Sequence, residues 1–103
     1  MPDMQEPRLD ANRVIHKLTL TITDRIEAST ALNSGQVVHV EADPTAPDRR
    51  ICIWYIIDQN WAYNTETVAF RIFGTGHPID GPHQYLGTAI TATALVFHVF
   101  LEV

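Results

Sequence analysis

Cysteine occurs once, at Cys52, so no disulfide can form within the chain. That excludes the plan of a small secreted domain stapled by bridges and favours a reducing compartment. Basic residues are also scarce, with 7 Lys and Arg against 12 Asp and Glu and a net charge of -5 at pH 7. Such a surface repels a phosphate backbone and has no electrostatic pull towards an anionic bilayer. Neither a nucleic acid nor a membrane is therefore expected as a partner, and the only adjacent basic pair is Arg49 and Arg50. Long apolar runs are missing too. The longest strictly apolar stretch is residues 51–57, and residues 89–101 are broken by Thr91, Thr93 and His98. Both fall short of the roughly 20 residues that span a bilayer as a helix. The opening residues lack a basic stretch followed by an apolar one, so no secretory signal is expected and the protein reads as soluble.

A helical period is the next absence. No stretch repeats its apolar residues every three to four positions for long enough to make a helix. What is present is alternation. Residues 14–23 place Val14, His16, Leu18, Leu20 and Ile22 on one face and Ile15, Lys17, Thr19, Thr21 and Thr23 on the other. Residues 26–32 are ambiguous between a helical turn and a strand, and the company of strands favours the latter. A turn at Asn33-Ser34-Gly35 leads to residues 36–42, with Val38 and Val40 opposite Val37 and His39. A proline-containing loop over 43–50 precedes residues 51–58, whose faces are Ile51, Ile53, Tyr55 and Ile57 against Cys52, Trp54 and Ile56. A connection over 59–66 carries Trp61 and Tyr63, and packing over apolar surface is the favoured role for both. Residues 68–73 alternate Val68, Phe70 and Ile72 with Ala69, Arg71 and Phe73, then enter a glycine- and proline-rich loop over 74–84. Residues 85–93 and 95–102 supply the last two strands. The fold class expected is all-β, a single-domain small sandwich or barrel of about seven mostly antiparallel strands over 13–103. Residues 1–12, with Pro2 and Pro7 and no periodicity, read as a flexible arm.

Two strands, 51–57 and 95–101, are apolar on both sides. A two-layer β domain has only one interior, so their second rows of side chains need other cover. The final strand also stops near the last residue and is open to pairing across chains. These features predict a homo-oligomer with Trp54, Phe73 and Phe100 in its interface.

Catalytic patterns are thin. Cys52 lies mid-strand, where a thiol serves as a small buried hydrophobe. Ser29 and Ser34 lack a nucleophile-elbow pattern. The Gly-Thr-Gly-His loop leads into Pro78 and Ile79 rather than a helix N-terminus, so it is no phosphate loop. One candidate ligand loop remains, comprising Arg71, Gly74, Gly76, His77, Asp80 and His83. His77, Asp80 and His83 follow an H-x2-D-x2-H spacing that matches no established metal signature, and turn chemistry accounts for the loop, so no metal or other cofactor is expected. His16 and His98 read as neutral histidines hydrogen-bonded to backbone or to each other across strands.

Several strings occur in one order: Ile15-His16-Lys17, Ile22-Thr23-Asp24, Cys52-Ile53-Trp54, Phe70 to Pro78, Tyr85-Leu86-Gly87-Thr88 and Leu95 to Phe100. Together they resemble a small uncharacterised domain family found in bacteriophages, notably those of actinobacteria, and in some bacterial genomes. The resemblance covers about residues 14–101 and brings no catalytic residues with it. It implies a phage-type protein, in the host cytoplasm or the virion, but no activity. The doubly apolar strands, short loops, acidic surface and lack of a catalytic set favour a β protein acting by self-association and protein binding, without catalysis, with a phage structural protein or a host protein as partner. A metal- or small-ligand-binding enzyme centred on the Gly-Thr-Gly-His-Pro loop is the alternative.

Overall fold

The computed structural model describes residues 12–103; the arm expected over 1–12 lies, but for Asn12, outside the described residues. Seven strands follow in order: β1 Arg13–Thr21, β2 Arg25–Thr30, β3 Gln36–Ala42, β4 Arg50–Asp58, β5 Glu66–Gly74, β6 His83–Ile90 and β7 Val96–Glu102. They form two antiparallel sheets, β1-β4-β3 and β2-β5-β7-β6, which do not close into a barrel. The all-β sandwich is thus the observed fold. The ambiguous stretch resolves as β2 followed by a 3-10 turn, Leu32–Ser34.

Alternation decides which rows meet in the middle. Leu20 of β1 and Ile51, Ile53, Tyr55 and Ile57 of β4 face Phe70 and Ile72 of β5 and Val99 and Leu101 of β7, all buried. β-branched and aromatic side chains fill a pleated face well, which is why these segments are strands. One polar pair enters this core, where Thr30 Oγ1 and Tyr55 Oη lie 3.2 Å apart and satisfy each other.

Two bulges shift the alternation. Val38 is the extra residue between the pairs Val37–Tyr55 and His39–Trp54. Val37 and Val40 therefore both face inward, while Val38 is turned out; the expected pairing of Val38 with Val40 on one face fails because the bulge resets the period. Leu86 plays the same part in β6, between Tyr85–Phe100 and Gly87–Val99. The final strand also departs from expectation. β7 lies between β5 and β6, so both its edges are hydrogen-bonded and it offers no free edge to another chain.

The sheets approach closely where β6 crosses β3. A Cβ at Gly87 would sit 2.5 Å from Val40 Cγ2 and 2.7 Å from its Cβ, so only glycine fits. Gly87→Ala is expected to cost about 1–3 kcal/mol through overpacking, read as a lowered urea midpoint. An unchanged midpoint would contradict the close approach.

Candidate functional site

The outward rows of the four-stranded sheet carry most of the residues singled out in the sequence. Cross-strand pairing sets Arg25, Arg71, Phe100 and Tyr85 side by side in one row, on β2, β5, β7 and β6. The next row holds Phe73, His98 and Thr88. Neighbours in such rows stand close enough to touch.

The aromatic part is tightly built. Phe73 and Phe100 meet edge-to-face at 5.6 Å, and Tyr85 lies 5.3 Å from Phe100. His83, at the start of β6, sets its ring against both phenylalanines at 5.9 and 6.3 Å, while its Nδ1–H donates to the Gly81 carbonyl at 3.2 Å. The Arg71 guanidinium lies 4.9 Å from the centre of the Phe73 ring, a cation–π distance. Its Nη1 is 3.5 Å from Asp80 Oδ1, and its Nε is buried without a hydrogen-bond partner. Phe73 is consequently only 6% exposed although it points away from the core.

The loop after β5 is fastened to its own strand. The Gly74 N–H donates to His77 Nδ1 at 3.3 Å, and the His77 ring fills the space a Cβ on residue 74 would need. Gly76 takes φ of 91°, a left-handed geometry that suits glycine. From the same turn, Thr75 Oγ1 lies 2.9 Å from His98 Nε2, and His98 Nδ1 lies 3.0 Å from Thr88 Oγ1, which also meets the Tyr85 hydroxyl. Both His98 nitrogens are satisfied by hydroxyls, whereas His16 lies on the other sheet with its ring edge against Tyr55 at 5.8 Å. The two histidines therefore do not bond each other, because their strands belong to different layers.

The structure gathers Arg71, Phe73, Asp80, His83 and Phe100 on one face, with Gly74, Gly76 and His77 in the adjoining turn. It does not bring His77, Asp80 and His83 to a common point. Each turns to a different partner: a backbone amide, a guanidinium and an aromatic pair. Among the described residues no group of three His, Cys, Asp or Glu side chains converges as a metal site. Trp54 is elsewhere, on the outer face of β1-β4-β3, with its ring 5.4 Å from that of His39. It shares no surface with Phe73 and Phe100, since β4 and β5 lie in opposite layers. Sequence reading missed Thr75, Tyr85 and Thr88, whose only signal is the cross-strand register.

At the edge of this face Arg25 grips Glu102 through Nε at 2.8 Å and Nη2 at 3.2 Å, and Glu27 through Nη1 at 3.0 Å. The fork-shaped pairing holds the Glu102 carboxyl below its ordinary value and the arginine above its own. Hydrogen bonds from the Thr45 amide and hydroxyl, and from Arg50, do the same for Asp43 in the loop before β4.

Residues 11–103 match the model of one family, described as Domain of unknown function (DUF7352). The chain belongs to that family. No curated protein and no solved structure matches it. The DUF7352 match spans all seven strands, both outer faces and the candidate loop, so the whole sandwich is the family's unit.

Folded Glu102 ionises more readily than unfolded Glu102, so its contribution to stability is complete above the ordinary value of 4.5 and is lost as pH falls through the lower folded value. Asp43 behaves likewise below 3.8. Urea unfolding across this acid range is expected to show a declining midpoint, with a shallower decline for Glu102→Gln and for Asp43→Asn. Equal slopes in all three proteins would contradict these pairings.

Proposed function

We propose that this DUF7352 protein is a non-catalytic β module that works by self-association and protein binding, of the kind bacteriophages use as virion components or as host-directed accessory proteins. The carrying observation is the outer face of β1-β4-β3. Ile15 is 61% exposed and Val38 45% exposed there, beside half-buried Trp54 and Ile56. Cross-strand pairing sets Ile15 directly beside Ile56, so the patch is contiguous rather than scattered. Contiguous apolar surface of this kind favours association.

Charge placement supports a second copy as the occupant. Lys17 lies on one side of Trp54 on β1, while Glu41, paired with His39 at 2.8 Å, lies on the other side on β3. A twofold copy sets the lysine side of one face against the carboxylate side of the other. On the opposite face of the sandwich Phe73 and Phe100 are dressed by His83, Tyr85 and Arg71, while Tyr85 and Ile90 are themselves more than half exposed. The same dressing weakens the ligand-binding alternative, since the loop histidines and Asp80 already have intramolecular partners. A phage origin rests on the sequence resemblance, and the host cytoplasm or the virion is the location that follows from it.

Size-exclusion chromatography with light scattering tests the association. The protein is expected to run as a dimer or larger species at micromolar concentration, and Ile15→Glu combined with Ile56→Glu to run as a folded monomer. A monomeric parent protein, or a double variant with unchanged mass, would overturn the proposal.

A further inference from the structure

The connection between β4 and β5 puts two large aromatic side chains into solvent. Trp61 is 54% exposed and Tyr63 92% exposed, which corrects the expectation that they pack over the apolar face. Their exposure is not the by-product of a loose loop. The Asp58 carboxylate accepts the Asn60 N–H at 2.8 Å, Ala62 N–H donates to the Gln59 carbonyl at 3.3 Å, and Asn64 N–H donates to the Trp61 carbonyl at 3.0 Å. Consecutive turns thus order the backbone that carries both residues. Exposed aromatics on such a backbone bring large contact area to a ligand with only two side-chain torsions to fix.

Tyr63 borders an open groove of about 620 Å³ lined also by Val14, Ile15 and Ala62, with His16, Gln59 and Asn60 as its polar groups. None of these side chains is a carboxylate, an ammonium or a guanidinium. Each amide offers a carbonyl acceptor and two N–H donors, and the imidazole offers one of each. An aromatic face beside uncharged donor–acceptor pairs complements a ring with one C–H face and a rim of hydroxyls. A polyanion is disfavoured by the net charge of -5. The surrounding groups that carry charge, Arg13 and Asp58, flank the groove's strands and do not line it.

We infer that this groove is a binding site for a neutral saccharide, with Tyr63 as the stacking platform and Gln59 and Asn60 as the hydroxyl-reading groups. The site is separate from the proposed self-association in its anchor residues, although Ile15 borders both surfaces. Its test therefore leaves Ile15 intact.

Intrinsic tryptophan fluorescence and affinity electrophoresis of the full chain, with cellohexaose, maltohexaose and chitohexaose as probes and heparin as the charged control, decide the matter. Binding of at least one neutral probe is expected, with no binding of heparin. Tyr63→Ala and Asn60→Ala are each expected to weaken it about tenfold or more, with the thermal midpoint of Tyr63→Ala unchanged because so little of that side chain is buried. Tyr85→Ala, which alters the opposite sheet, should leave the affinity as it was. Failure of all three neutral probes to bind, retention of affinity in Tyr63→Ala, or binding of heparin alone would each overturn the inference. None of these results bears on the oligomer, whose mass is measured separately.

Discussion

A sandwich of two sheets has one interior, and every strand must send half of its side chains away from it. In this chain the constraint is sharp because the outer rows of β4 and β7 still carry Trp54, Ile56 and Phe100. The inner rows are settled by mutual burial around Phe70, Ile51, Ile53 and Val99. Everything distinctive about the molecule concerns how the two outer rows are handled, and the two sheets handle them differently.

On the four-stranded sheet part of the outer surface is clad from within the chain, although Tyr85 and Ile90 stay more than half exposed. His83 and Tyr85 close on Phe100, Arg71 lies over Phe73, and the turn after β5 is tied back through His77. Tyr85 lays its ring against Phe100 and turns its hydroxyl to Thr88, whereas Arg71 meets the Phe73 ring with its guanidinium. Arg71 carries an unresolved cost, since its buried Nε lacks a hydrogen bond. On the three-stranded sheet no comparable cladding exists among the described residues: His39 lies against Trp54, but Ile15 and Val38 remain open.

The layer plan was legible in the sequence because it depends on local alternation. The inward sets of β1, β4, β5 and β7 follow directly from period-two spacing, and turn residues mark most boundaries. Alternation fails where the chain inserts a residue, as at Val38 and Leu86, because a bulge changes parity without a compositional signature. Sheet membership was less accessible still. Trp54 and Phe100 look equivalent along the chain, both being aromatic on the outer side of a greasy strand, yet strand order places them on opposite faces of the molecule. Nearness in sequence does not bring His77, Asp80 and His83 together in space: His77 turns to the Gly74 amide, Asp80 to Arg71, and His83 to Phe73 and Phe100. The hydroxyl bracket around His98 joins residues from three segments and could be found only from register.

The proposal that Phe73 is covered within the chain while the outer face of β1-β4-β3 receives a second copy is tested most directly by hydroxyl-radical footprinting at graded protein concentrations. Phe73 should resist oxidation at every concentration, whereas Ile15 and Trp54 should be labelled in dilute solution and become protected as concentration rises. Concentration-independent labelling of Ile15 and Trp54, or labelling of Phe73 as heavy as theirs, would contradict the account.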